Sequence, residues 1–281
     1  MTVRIVTDST SDIDAELARE LNITIVPLTV LFGHETFLDR VDITPDEFYR
    51  RLESGDVLPT TTQPSPGVFA DVYRRLLSQG DEILVLVLSG KLSGTFQSAA
   101  NAASMVGGEG LIEVIDSRST AMGLGLLAIN AAQMAAKNQN LATIAAAIRN
   151  KIPNSHIVML FDTLRYLAKG GRIGKAQGLV GSILQVKPVL TVKDGEVSPL
   201  ARLRSMAAGT EYLYNFATGF HDIEEIAVEH ATTPETADIL SARLKAVFPN
   251  KKIYRSQVSP VLGTYMGPNV LSVSILSRNK T

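Results

Sequence analysis

The chain has 281 residues, a formal net charge of -1, 45% apolar and 20% charged residues, and no cysteine. That length exceeds what one hydrophobic core usually serves, so two domains or one large one is expected. Balanced charge without a dense Lys/Arg stripe excludes the electrostatic footprint of a nucleic-acid binder, and the absence of cysteine excludes disulfides, thiol chemistry and cysteine-held zinc or iron–sulfur centres.

The amino terminus carries Arg4 and Asp8 where a secretory signal needs an apolar segment, and no window is long and apolar enough for a membrane span. A cytoplasmic protein without integral membrane association is expected. His34, His156, His221 and His230 have no ligand-like spacing, so a metal site is not expected; no other cofactor is expected.

The first half alternates short β-branched runs with amphipathic helical patterns, which predicts an α/β domain on a parallel sheet. Residues 4–7 read as a strand ending in Thr7-Asp8-Ser9-Thr10-Ser11-Asp12. Asp12 then precedes Ile13, Leu17 and Leu21 at helical spacing. Residues 24–30 read as a second strand. Thr44-Pro45-Asp46-Glu47 supplies an N-cap, a first-turn proline and acids matched to the helix dipole, and a further helix is expected near Pro66. Between them, Thr60-Thr61-Thr62-Gln63-Pro64-Ser65-Pro66-Gly67 reads as a rigid surface of hydroxyl donors with little entropy left to lose on binding.

Residues 83–88 form an apolar strand candidate followed by Ser89-Gly90-Lys91-Leu92-Ser93-Gly94-Thr95 and a small-residue helix. Unpaired amides at such a helix start, with two hydroxyls beside them, favour an anion, although Ser93 and Thr95 are equally suited to capping the helix. After a strand at 112–115, Asp116-Ser117 leads into a helix whose Gly123 and Gly125 fit close packing, with room for a ligand as the alternative.

The pattern changes after Pro153. Strand candidates at 157–161, 186–192, 196–203, 225–229 and 271–276, helices at about 205–218 and 234–247, and an Asp194-Gly195 hairpin signal predict a mixed, partly antiparallel α/β domain. The division is placed as residues 1–152 and 153–281. Between Phe161 and Ile173, Arg165, Lys169 and Arg172 surround Gly170-Gly171, and Arg202 and Arg204 extend the set of cations.

Catalytic motifs fit poorly. The residue 89–95 loop is neither a nucleophile elbow nor a Walker A loop, and no histidine neighbours these segments to act as base. An enzyme acting on a small phosphorylated or carboxylated metabolite at this loop is kept as the alternative reading, and a regulatory module with an incidental anion site as a third.

Thr7-Asp8-Ser9-Thr10, Thr61-Thr62-Gln63-Pro64-Ser65, Leu92-Ser93-Gly94-Thr95, Asp116-Ser117, Gly170-Gly171-Arg172-Ile173, Lys187-Pro188-Val189-Leu190 and Gly263-Thr264-Tyr265-Met266-Gly267-Pro268 together resemble the DegV family of bacterial fatty-acid-binding proteins. The resemblance implies two α/β domains enclosing one long-chain fatty acid such as palmitate in a buried tunnel, with no catalysis by this chain. It assigns the carboxylate to Thr61 and Ser93, with Tyr265 beside them. Thr62, Gly94, Thr95, Asp8, Ser9 and Ser117 are expected in support, with Arg172 and Arg202 as cations facing a partner.

Several family members serve as the binding subunit of an ATP-dependent fatty acid kinase, which makes such a kinase, alongside transient membrane-surface contact, the partner expectation. Two departures bear on it. Tyr265 stands where the family commonly has histidine, and Asn269 where it has glycine. A tyrosine still donates a hydrogen bond to a carboxylate, but it supplies no positive charge to an acyl phosphate.

Overall fold

The computed structural model describes residues 2–55, 57–179 and 186–278. The amino-terminal half contributes β1 (Val3–Asp8), α1 (Ala15–Glu20), β2 (Ile23–Val26), β3 (Thr29–Phe32), β4 (Glu35–Leu38), α2 (Pro45–Ser54), β5 (Thr60–Thr62), α3 (Pro66–Ser78), β6 (Glu82–Val87), α4 (Thr95–Val106), β7 (Ile112–Asp116), α5 (Ala121–Ala136) and α6 (Leu141–Lys151). The rest contributes β8 (Ser155–Leu160), α7 (Arg165–Lys169), β9 (Lys187–Lys193), β10 (Glu196–Leu203), α8 (Met206–Thr218), β11 (Ile223–His230), α9 (Pro234–Val247), β12 (Ile253–Gln257), α10 (Pro260–Met266) and β13 (Leu271–Ser277).

Four strands form a parallel sheet in the order β2-β1-β6-β7, as the apolar runs and intervening helices predict. Leu84, Val85, Leu86 and Val87 are wholly buried, as both faces of a parallel sheet require. A six-stranded mixed sheet in the order β10-β9-β8-β13-β11-β12 holds every strand after residue 152. Its only parallel pair among the described residues is β11 with β12. The hairpin β9–β10 turns on Asp194 and Gly195, with φ of 52° and 83°. Two successive left-handed residues make the turn whose twist matches the flanking strands.

The sequence reading of residues 24–30 as one strand is corrected. Pro27 has no amide to give a ladder, and the Leu28 amide donates to Ser9 Oγ at 3.1 Å instead. The chain therefore leaves the parallel sheet after Val26 and enters a separate antiparallel sheet, β4-β3-β5. The triple threonine, read only as a surface of hydroxyl donors, is the third strand of that sheet, with Thr61 opposite Val30. Asp12 does not cap a helix. It sits at φ 53°, closing a 3-10 turn at Ser9–Ser11, while Asp14 caps α1 through the Glu16 and Leu17 amides.

α5 joins the two large sheets. Its residues 121–129 are all buried, and it packs on β1 as well as on β8, β11 and β13. Leu84 and Leu86 of the parallel sheet therefore share one core with Ala227 and Leu276 of the mixed sheet. A second core gathers Leu28 and, from the small sheet, Val30 with Met159, Phe161 and Val261. Leu28, Met159, Phe161 and Val261 of this second core surround a cavity.

Candidate functional site

The cavity, of about 340 Å³, opens where the carboxyl ends of the parallel strands, the small sheet and α10 meet. This is the position at which open α/β sheets hold ligands, because strand ends and helix starts converge there. Its polar lining comes from Thr61, Thr62, Gln63, Ser93, Thr120, Arg172 and Tyr265. Apolar wall comes from Leu28 and Leu88 of the first half and from Met159, Phe161, Val261 and Met266 of the second.

β5 carries Thr61 into this wall by pairing with β3. Thr61 Oγ1 and the Tyr265 hydroxyl share a hydrogen bond of 2.6 Å, and the Arg172 guanidinium lies 5.1 Å from the Tyr265 ring centroid, within cation–π reach. Arg172 is itself fixed by donating to the carbonyls of Leu92 and Gly170 at 3.3 and 2.8 Å. Ser93 precedes α4, where its hydroxyl lies 2.9 Å from Thr95 Oγ1 and accepts only a long contact, 3.4 Å, from the Thr95 amide. Gly94, the N-cap residue, has no side chain to occupy the α4 amides. The helix start is therefore open to an acceptor, and its dipole favours a negative one.

Two neighbouring depressions border the cavity. One shares Ser93, Leu92, Arg172 and Val197 with it and adds Lys91 and Glu196. The other shares Thr61, Arg172 and Tyr265 and adds Lys169. Arg172 stands at the junction of all three.

Asp8 and Ser9 do not line the cavity. Asp8 is fully buried. Its Oδ1 accepts from the Thr10 amide and hydroxyl at 2.9 and 2.5 Å, and its Oδ2 accepts from the Leu88 amide at 2.7 Å. Burial raises its pKa despite these hydrogen bonds. Since Ser9 holds the Leu28 amide, the two side chains together fix the backbone of two residues that do line the cavity, Leu28 and Leu88. Ser117 is buried at the end of β7, where its hydroxyl accepts from the Ser119 amide at 3.1 Å, away from the cavity wall. Arg202 is exposed on β10 and is not part of the wall, unlike Arg172.

α10, which carries Val261, Leu262, Tyr265 and Met266 into the wall, is tethered from behind by a buried charged cluster. Asp12 Oδ1 accepts the Ser259 amide at 3.1 Å and lies 3.6 Å from Arg40, whose guanidinium also donates to the Gln257 carbonyl. Glu229 accepts the Met122 amide at 3.1 Å and the Ser272 hydroxyl at 2.9 Å. Asp39, 1% exposed, has no well-formed hydrogen bond at either oxygen. Burial raises all three carboxyl pKa values, that of Asp39 to about 7. Sequence reading missed this cluster and found α10 only through the motif around Tyr265; the apolar pair Val261-Leu262 ahead of Gly263 is the signal for the rest of that helix.

Among the described residues no group of three His, Asp or Glu side chains is arranged to hold a metal ion, and no helix is long and apolar enough to cross a membrane.

Comparison with known proteins agrees with this architecture along the whole chain. The DegV family model, described as an uncharacterised protein family, matches residues 2–278. A DegV domain-containing protein of Caldanaerobacter subterraneus is 37% identical over 274 residues, 96% of this chain and 97% of the relative. Among solved structures, a fatty-acid-binding DegV family protein from Thermus thermophilus aligns with a TM-score of 0.89 at 31% identity, covering 99% of this chain and 100% of that one. DegV of Bacillus subtilis, described as a fatty acid binding protein, aligns at 0.87 and 30% over 99% and 100%. A stearic-acid-binding protein from Eubacterium ventriosum aligns at 0.89 and 26%, over 98% of both chains. With its sheets and its sequence shared along nearly the full length of such relatives, the chain belongs to the DegV family.

Proposed function

We propose that the chain binds one long-chain fatty acid, tail in the cavity and carboxylate at the wall formed by Thr61 and Ser93, and that it acts as a carrier in the cytoplasm instead of a catalyst. The observation that carries this reading is one cavity whose largely apolar lining includes the linked group Thr61, Tyr265 and Arg172, with Ser93 beside an uncapped helix start. At about 0.8 kcal/mol per buried methylene, a chain of about 16 to 18 carbons gains on the order of 11 kcal/mol before the costs of association. The carboxylate, leaving water, needs charge-assisted hydrogen bonds in return. Thr61, Ser93, Tyr265 and the α4 amides supply them.

In this reading residues 1–152 provide the carboxylate loops and residues 153–281 close over the acyl chain. Apolar wall from Leu28 and Leu88 on one side and Phe161 and Val261 on the other supports that division of labour. The relatives described as binding fatty acids support the ligand class. Arg172, at the junction of the depressions, faces a partner, and an ATP-dependent fatty acid kinase is the partner whose chemistry fits an exposed carboxylate. An enzyme acting on a small metabolite would need a base in the cavity. Asp8 is outside the wall, with both oxygens occupied.

Calorimetric titration with palmitate and oleate tests the assignment. The unaltered protein takes up one equivalent, and Thr61→Val and Ser93→Ala each weaken binding by about 10- to 100-fold, the cost of a hydrogen bond to a charged group. Uptake by neither protein nor variants overturns the fatty acid reading. Unchanged affinity in both variants places the carboxylate elsewhere.

A further inference from the structure

The polar wall contains one side chain whose role is not set by its own chemistry alone. Gln63 follows the triple threonine and reaches across the mouth to α4, where its Nε2 donates to Ser98 Oγ at 3.3 Å. Its carboxamide lies over Gly94. A Cβ added at Gly94 would stand 2.8 Å from Gln63 Cδ, closer than real Cβ contacts come. Gly94 has φ -74° and ψ 5°, a conformation open to any residue. Glycine at this position leaves the space that the Gln63 amide occupies, and its backbone conformation does not itself call for glycine.

We infer that Gln63 is a positioning residue that clamps β5 onto the start of α4 through the notch at Gly94, and so sets the separation of Thr61 and Ser93. Neither element fixes that separation alone. β5 is three residues long and is held by β3 on one side, and Ser93 lies in a loop before the helix. Holding the two donors at a fixed separation before the ligand arrives removes an ordering cost from binding. Gln63 is solvent-exposed and buries little apolar surface, so its contribution falls on the ligand and not on the core.

The inference rests on the fatty acid reading, and its test separates the two. Palmitate dissociation is followed by stopped-flow transfer to lipid vesicles for the unaltered protein, Gln63→Ala, Gly94→Ala and the double variant. Gln63→Ala and Gly94→Ala should each speed dissociation about tenfold, the first by removing the clamp and the second by displacing it. The double variant should match Gln63→Ala alone, because the space that the added methyl group needs has then been vacated. The melting temperature of ligand-free Gln63→Ala should agree with that of the original protein within about 1 °C, as a substitution at an exposed side chain allows. Additive losses in the double variant, or dissociation rates unchanged from the original, would overturn the clamp while leaving fatty acid binding intact. Failure of the unaltered protein to bind palmitate would overturn both.

Discussion

Asp39 shows how a single buried group ties stability to pH. Its carboxyl has a usual value of 3.8 and, by burial, one of about 7 in the folded protein. The folded state therefore keeps a proton that the unfolded chain releases, and stability from this group is full at low pH and falls as pH rises from about 4 to 7, by at most about 1.4 kcal/mol per pH unit. Asp12 and Glu229, also raised by burial, act in the same direction. Asp39→Asn, which imitates the protonated form, should raise stability at pH 8 by on the order of 2 kcal/mol and flatten its decline between about pH 4 and 7 in urea unfolding. An unaltered slope would assign the pH dependence to the other two carboxyls. None of this was legible in the sequence, because the burial of Asp39 beneath α10 is a tertiary fact. Thr61, Ser93 and Tyr265 were legible as motif residues, and the structure gathers them on one cavity wall. The pairing of Gln63 with Gly94 was not, because sequence patterning carries no signal for contact between a loop and a distant helix start.

At the level of elements, α5 carries the junction between the two large sheets. Gly125 meets the 3-10 turn so closely that a Cβ there would stand 2.5 Å from the Ser11 carbonyl oxygen. Gly125→Ala should destabilise the protein by about 1 to 3 kcal/mol, the usual cost of overpacking, in spite of alanine's better helix propensity. A melting temperature at or above the original would show that the turn yields freely. The long periodic elements were readable because helical spacing and capping residues agree: Thr44 caps α2 by accepting the Glu47 amide, and Ser65 caps α3 through Val68. Short elements were not. β5 is three threonines whose strand character comes from pairing with β3, and β12 alternates too weakly, through Arg255 and Ser256, to stand out.

For the whole molecule, the two halves of the chain are distinct in strand pairing and continuous in packing. Every strand of the parallel sheet precedes residue 152 and every strand of the mixed sheet follows it. Both large cores nevertheless draw side chains from each half. The change of grammar at Pro153 made the first fact readable, since connection type follows from local pattern. The shared cores were not readable, because nothing in α5 states which sheets will cover its two faces. A ligand lodged in the second core would contact both halves and, by binding the folded chain in preference to the unfolded one, would stabilise it by mass action. The most direct test is the intact mass of the purified protein under native conditions, followed by denaturing extraction and identification of any lipid. One fatty acid of long chain per protein, present on isolation or after incubation with palmitate or oleate, is the expected result. A protein that is empty and stays empty after incubation would contradict fatty acid binding.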